Sequence, residues 1–331
     1  MPSVRWECCR TYAPALGVIV DLIQILRHRI DALEVGDYTA GLRAVLQHVQ
    51  VAASHFSRGS ASGDDTAFTD AIYRTNQAFE GSLKEAYRVL AGNDPSRVRP
   101  FDIENFFQGK SILRPRVLEQ FSTYRTDWRN PSAHDYKLDF DEDEALLAIV
   151  SVCAFAIVLI DQIAGKVSYD KARTSAATPP EVDPQRSLSE IAVDALLEFQ
   201  PRVATLGSGE PMREVEVIGA IAGHLAKALP GARIDTEVRL SVDGRGRADI
   251  VVTDKNEKLL IEVKRGRHAA NIKQLSIAQV SHYVALSGIK DAVLYFYDED
   301  GDKKMEREEY TLPGSDARIV ILRPSRQEKS S

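Results

Sequence analysis

The spacing of apolar residues changes once along this chain of 331 residues, and the change predicts two kinds of architecture. From about Pro14 to Gly165, apolar residues recur every three or four positions, as in ALGVIVDLIQILRHRIDALE, and no segment alternates like a strand. Turn-forming stretches such as SRGSASGDD and GNDPSRVRP separate these helical patterns. We therefore expect an antiparallel helical bundle in the N-terminal half.

The C-terminal half has a period of two. The stretches ARIDTEVRLSV, RADIVVTD and KLLIEVKR are typical of strands, and DAVLYFYDED follows the helical pattern NIKQLSIAQVSHYVAL. Helical patterns also precede the first strand, so the predicted order is helix, three-strand meander, helix, strand. This order indicates a small α/β domain.

A segment with three prolines and few large apolar side chains, VSYDKARTSAATPPEVDPQRS, lies between the two patterns. Such a composition is typical of a linker. The sequence thus predicts a helical bundle over residues 1–166, a linker over 167–187 and an α/β domain over 188–331.

Composition limits the class of protein. The net charge of −6 argues against a general nucleic-acid coat protein, and three cysteines without disulfide or zinc spacing favour a reducing, cytoplasmic compartment. The N-terminus lacks the pattern of a signal peptide. Residues 145–160 are apolar throughout but fall short of the roughly 20 residues that a membrane span needs. We expect no membrane association and a helix buried in a bundle core or a dimer interface.

Two acidic residues are expected to face each other on neighbouring strands. If residues 254–257 form a hairpin loop, Thr253 pairs with Lys258, and Asp249 then lies opposite Glu262. Opposed carboxylates repel unless a cation lies between them, and a divalent metal held by both would remove that repulsion. Lys264 lies on the same strand face as Glu262, where it can orient or deprotonate a water molecule.

The motif Asp249, twelve residues, then Glu262-Val263-Lys264 resembles that of the PD-(D/E)xK nuclease superfamily. The resemblance covers roughly residues 210–298, although Ala248 stands where the superfamily's name has proline. It implies a restriction-endonuclease-like α/β fold in which the two acids bind Mg²⁺ or Mn²⁺ and the lysine assists the attacking water.

The resemblance extends to both flanking helices. Gln279 and Tyr283 reproduce a Gln-x-x-x-Tyr spacing found in some branches of the superfamily, which makes Gln279 a further candidate for the catalytic site. An additional metal-binding acid on the preceding helix is either Glu214 or Glu216. Both lie beside the apolar stripe of that helix, so the sequence does not decide between them.

A second candidate site lies in WRNPSAHDYKL. Arg129 and His134 have an Arg-x4-His spacing, which alone indicates little because the helical stretch RAVLQH contains the same spacing. The surroundings differ, since Pro131 interrupts the helical hydrogen bonds, Tyr136 follows the histidine, and an acidic run precedes the long apolar helix.

This combination resembles the HEPN family of helical ribonucleases, over about residues 14–165, and NQAFEGSLKEAY (76–87) is similar to the family's preceding helix. The resemblance implies metal-independent RNA cleavage at a site formed across a homodimer. His134 would act as general acid or base, Arg129 would hold the phosphate, and Tyr136 would assist or be a point of modification. The nucleophile would be the 2′-hydroxyl of the RNA itself.

Together these motifs predict a cytoplasmic, homodimeric, two-domain nuclease, and the resemblances imply a defence or toxin-like role. Two alternatives stay open. In one, only the C-terminal domain is an enzyme, cutting DNA, and the helical domain is a dimerising sensor. In the other, both motifs are relics in an interaction protein. The sequence does not distinguish RNA from DNA as the C-terminal substrate.

Overall fold

A computed structural model of the chain describes residues 21–134, 137–176, 186–199, 212–241, 246–266, 270–297 and 304–325. The N-terminal half is helical within these ranges, as expected, and the start of the first predicted helix lies outside them. Its helices are α1 Leu22–Asp31, α2 Thr39–Ser62, α3 Thr66–Ala91, α4 Pro100–Gly109, α5 Pro115–Tyr124, α6 Asn130–His134 and α7 Glu142–Ser175.

The bundle core lies between α2, α3 and α7 and contains a cluster of aromatic rings. Phe121 stacks on Phe155 with ring centroids 4.3 Å apart, and Phe79 packs against Tyr124 at 4.7 Å. The long helix α7 begins at Asp141, whose carboxylate accepts a hydrogen bond from the backbone N–H of Glu144 in a capping box. The acidic run before the apolar segment therefore serves as a helix start.

The helix α7 is longer than the sequence indicated. It has 34 residues, so residues 167–175 of the expected linker are its last turns, and residues 177–185 lie outside the described ranges. The linker interpretation placed the boundary too early because these turns contain few large apolar side chains. Tyr169 and Ala172 nevertheless pack against the core of the C-terminal half.

The helix α9, Glu214–Ala228, crosses α7 at very close range. A Cβ atom at Gly219 would collide with the carbonyl oxygen of Gly165, and one at Gly223 would collide with that of Tyr169. Glycine therefore permits backbone contact between a helix of the bundle and a helix of the α/β half.

The C-terminal half contains a six-stranded mixed sheet in the order β1-β2-β3-β4-β6-β5. The β1-β2-β3 meander is antiparallel and β4 runs parallel to β3, as the sequence predicts. The helices α8 and α9 cover one face of the sheet and α10 covers the other. The remaining elements are α8 Leu188–Glu198, β1 Arg233–Arg239, β2 Arg247–Asp254, β3 Glu257–Arg265, α10 Ala270–Ser287, β4 Asp291–Tyr297, β5 Met305–Thr311 and β6 Arg318–Pro324.

Among the described helices, α7 alone has the length and apolar composition of a membrane-crossing helix. Half of its most apolar window is buried inside the protein, as in the core helix of a bundle. The helix is not buried on all sides of this chain, however, since Leu146, Leu147 and Val150 are exposed.

Candidate active sites

The β2–β3 hairpin has the register that the sequence predicts. Thr253 pairs with Lys258, and the turn is tighter than expected because the next pair, formed by Asp254, leaves only Lys255 and the following residue in the turn. Lys255 adopts a left-handed backbone conformation there. Ile250 pairs with Ile261 at the other end of the ladder, so the next positions, Asp249 and Glu262, lie opposite each other.

Glu262 is held in a buried position by two donors. Its side chain is almost completely removed from solvent, with the residue 1% exposed. The Oε1 atom accepts hydrogen bonds from Lys264 Nζ at 2.7 Å and from Gln279 Nε2 at 2.9 Å. The Oε2 atom is also buried but has no hydrogen-bond partner among the described residues. A buried carboxylate oxygen without a partner is energetically costly, which marks this position for a ligand or a proton.

Asp249 is fixed against the neighbouring strand. Its Oδ2 atom accepts a hydrogen bond of 2.7 Å from the backbone N–H of Val263. Burial, and then the negative charge of Glu262, raise the pKa of Asp249 from 3.8 to about 7. Burial likewise raises the pKa of Glu262. The two carboxylates therefore resist being negatively charged together unless a cation is added.

Lys264 supplies part of that positive charge. Burial alone would lower its pKa, but the hydrogen bond to Glu262 and the neighbouring carboxylates raise the pKa above its usual value. Lys264 is therefore an ammonium ion at neutral pH.

The two glutamates on α9 have different roles. Glu216 is buried, and its carboxylate accepts a 2.8 Å hydrogen bond from the backbone N–H of Arg213, whose guanidinium also pairs with Asp161 of α7. Glu216 thus belongs to the junction between the two halves. The charge of Glu214 instead raises the pKa values of Asp249 and Glu262. Glu214 is the acid of this helix that acts on the carboxylate pair.

The Gln-x-x-x-Tyr pattern also joins this site. Gln279 donates to the hydroxyl oxygen of Tyr283 at 2.7 Å and to Glu262, so the helix α10 holds the Glu262 carboxylate through Gln279. Asp249, Glu262, Lys264 and Gln279 are thereby brought together, whereas Glu214 acts on the pair by its charge and does not complete a compact group of three acids within the described ranges.

The donor set suits a small divalent cation with few protein ligands. The part of the chain that the structure describes contains no compact group of three or more His, Cys, Asp or Glu side chains. Mg²⁺ commonly binds through only one or two carboxylates and keeps water and substrate phosphate in its other positions. Asp249 and Glu262, with the unpartnered Oε2 atom, fit that mode of binding.

The second candidate site follows a π-helical turn, Arg125–Arg129. The backbone N–H of Asn130 donates to the carbonyl of Arg125, five residues earlier, and Pro131 has no N–H to continue the helical series. The irregularity that Pro131 predicts is therefore present just before it. Such single π turns are frequent at functional sites.

Arg129 is held by an acid that the sequence did not single out. Its Nε and Nη2 atoms lie 2.8 and 2.7 Å from Glu80 Oε1, and its Nη1 atom donates to the side chain of Asn130 at 3.1 Å. Glu80 lies in α3, within the stretch 76–87 noted in the sequence analysis. It is 49 residues from Arg129 along the chain, so only the fold brings the two side chains together.

His134 is the last residue of α6 and is exposed. No hydrogen bond joins it to Arg129 within the described residues, and Tyr136 lies outside them. A single chain thus presents an anchored arginine and a solvent-accessible histidine, five residues apart, rather than a closed catalytic pair.

Comparisons with family models, with curated proteins and with solved structures give no significant match to this chain.

Proposed function

We propose that the protein is a metal-dependent nuclease whose principal active centre is formed by Asp249, Glu262 and Lys264. The observation that carries this proposal is the buried carboxylate pair with one unpartnered oxygen, contacted by an ammonium ion. Raised pKa values of both acids support it, since groups of this kind are concentrated at active sites.

Asp249 and Glu262 would hold Mg²⁺ or Mn²⁺, with Glu214 adding negative charge near the ion. The bound ion would supply Lewis-acid stabilisation of a phosphodiester. Lys264 orients the attacking water and stabilises negative charge that develops on the phosphate. Gln279 donates to the same Glu262 oxygen as Lys264 and keeps this carboxylate in place, which makes it a positioning residue.

Cleavage of labelled RNA and DNA tests this centre, with the purified protein in EDTA, in Mg²⁺ and in Mn²⁺. We expect cleavage to require the metal and to fall at least about 100-fold in Lys264→Ala, a loss typical of removing one electrostatic stabiliser. Lys258→Ala is the matched control, because Lys258 is an exposed lysine on the same strand. Metal-dependent cleavage that survives in Lys264→Ala would contradict the assignment.

A second activity, metal-independent RNA cleavage by the bundle, is favoured by the geometry at Arg129. Glu80 and Asn130 fix the guanidinium beside the π turn, while His134 remains accessible for proton transfer. We propose that two copies of the chain bring two such pairs together. The role would be cytoplasmic and defence or toxin-like, with RNA as the substrate of this site.

The same assay in EDTA tests the bundle. RNA cleavage should persist without metal and fall by about 100-fold or more in His134→Ala. The control is His48→Ala, because His48 occupies the other Arg-x4-His spacing of the chain. Loss of all cleavage in EDTA would assign the activity to the C-terminal site alone and leave the bundle as a dimerising or sensing module. Absence of both metal binding and cleavage would favour an interaction protein.

A further inference from the structure

A group of three arginines lies where the helical bundle approaches the first two strands of the sheet. Arg247 is on β2, two residues before Asp249, and Arg239 is its cross-strand partner on β1. Arg114, at the start of α5 in the bundle, approaches the same place. We name Arg114, Arg239 and Arg247 the arginine cluster.

One carboxylate connects two members of the cluster. Glu237 Oε2 lies 2.6 Å from Arg247 Nε and 3.9 Å from Arg114 Nη2. Two cations therefore share one anion, and the third, Arg239, lies directly cross-strand from Arg247, an arrangement that is unfavourable for like charges. The cluster has unused capacity for a further anion. Arg114 and Glu237 are about half exposed, with 47% and 42% of their side chains accessible, so a ligand can reach them.

The backbone of Glu237 provides a second observation. Its φ of 58° is left-handed, a conformation that is costly for a residue other than glycine. The ladder pairs on either side of Glu237 place it on β1 opposite Asp249 of β2. The carbonyl oxygen of Glu237 also accepts a 2.8 Å hydrogen bond from Arg247 Nε. The strained residue thus holds the side chain of Arg247, whose backbone lies two positions from Asp249 on β2.

We propose that the arginine cluster binds the phosphate backbone of a nucleic-acid strand next to the phosphate that lies at Asp249 and Glu262. The placement of that phosphate depends on the proposed nuclease function. Arginine suits this role because its planar guanidinium binds phosphate oxygens with two hydrogen bonds. Arg114 belongs to the bundle and the other two arginines belong to the sheet. Both halves of the protein would therefore contact the same nucleic-acid strand.

Binding in EDTA tests this site separately from catalysis. The probes are fluorescein-labelled single-stranded and double-stranded DNA and RNA, followed by anisotropy with the full-length protein. Arg239→Glu and Arg114→Glu should each weaken binding at least about 10-fold. The slope of log K against log salt should fall by roughly 0.7–0.9 for each phosphate that the variant no longer binds. Arg247 is left unchanged because it is more buried than the other two and its replacement could disturb the hairpin.

Arg233→Glu is the matched control. Arg233 lies on the same strand, is 78% exposed, and pairs with Asp235, so its replacement makes an equal change in net charge away from the cluster. An equal loss of affinity in Arg233→Glu, or no binding of any probe by the wild type, would overturn the proposal.

The two proposals fail in different ways. Lys264→Ala should lose cleavage, whereas its binding of the probes in EDTA should still depend on Arg239 and Arg114. Cleavage by the wild type with unchanged binding in Arg239→Glu and Arg114→Glu would overturn the arginine site and leave the nuclease proposal standing. Binding that depends on the cluster without any cleavage would support the arginine site and remove the nuclease function.

Discussion

At the scale of single residues, the opposition of Asp249 and Glu262 is the central feature. The sequence predicted it because a hairpin fixes its register locally, and the pairing of Thr253 with Lys258 confirms that register. The partners Glu80 and Glu237 could not be predicted in the same way. Glu80 reaches Arg129 across 49 residues, and Glu237 depends on a backbone conformation that no strand pattern encodes.

The Asp249 carboxyl makes stability depend on pH. On folding its pKa rises from 3.8 to about 7, so the folded protein keeps a proton that the unfolded chain has released. The free energy of unfolding therefore decreases as pH rises from 3.8 to about 7. At higher pH the buried carboxylate is charged and lowers the free energy of unfolding by its full amount. In Asp249→Asn this cost is removed, and we expect the metal-free variant to be more stable by about 1–3 kcal/mol at pH 8, with a smaller gain at pH 5.

Urea unfolding in EDTA at the two pH values measures this difference. Asp254→Asn, at the other end of the same strand, serves as control and should show no such gain. Adding Mn²⁺ should stabilise the wild type more than Asp249→Asn, because a ligand of the folded state raises the free energy of unfolding. Equal stability of wild type and Asp249→Asn at pH 8 would argue against a buried, repelled carboxylate.

At the scale of secondary-structure elements, the long helices and the first four strands were predictable, whereas β5 and β6 were not. The strand β5, MEREEYT, is charged along most of its length because it is an edge strand whose residues are largely exposed. The strand β6 is buried over its four central residues, 319–322, and this apolar run carries no alternation. The end of α7 was missed for a related reason, since Ser168 is its one buried residue after residue 166 and large apolar side chains are few there.

The close crossing of α7 and α9 predicts a sharp response to one methyl group. Gly219→Ala places a Cβ atom against the carbonyl of Gly165, and backbone cannot move aside as a flexible side chain can. We expect a loss of about 2–3 kcal/mol in the free energy of unfolding, as for overpacked cores. Gly109→Ala is the control, because a Cβ atom there meets nothing within 4 Å and should be neutral or slightly stabilising. Equal melting temperatures of the two variants would contradict this description of the crossing.

At the scale of the whole molecule, α7 presents Leu146, Leu147 and Val150 to solvent. Residues at this spacing lie on one side of a helix, and we propose that this exposed apolar group is an interaction surface. We propose that a second copy of the chain covers this surface, because the proposed RNA-cleaving site needs two histidines from two copies.

Replacing Leu147 with aspartate should therefore convert a dimer into a monomer, as measured by analytical ultracentrifugation. The reason is that a charge in an apolar interface is desolvated without a partner. Leu275→Asp is the matched control, since Leu275 is exposed on α10 and lies outside this surface. We also expect Leu147→Asp to lose RNA cleavage in EDTA while keeping the metal-dependent activity. A wild type that is monomeric at all concentrations would rule out this interface.

The helix α7 supplies side chains to the bundle core and packs its backbone against α9. With 34 residues it is about 50 Å long, so it extends from the exposed leucines to the helix that carries Glu214. It forms part of the bundle core and covers the edge of one core of the other half with Tyr169 and Ala172. The two halves are consequently poor candidates for modular exchange, because a recombination event that replaced one of them would have to preserve a glycine-to-backbone fit in the other.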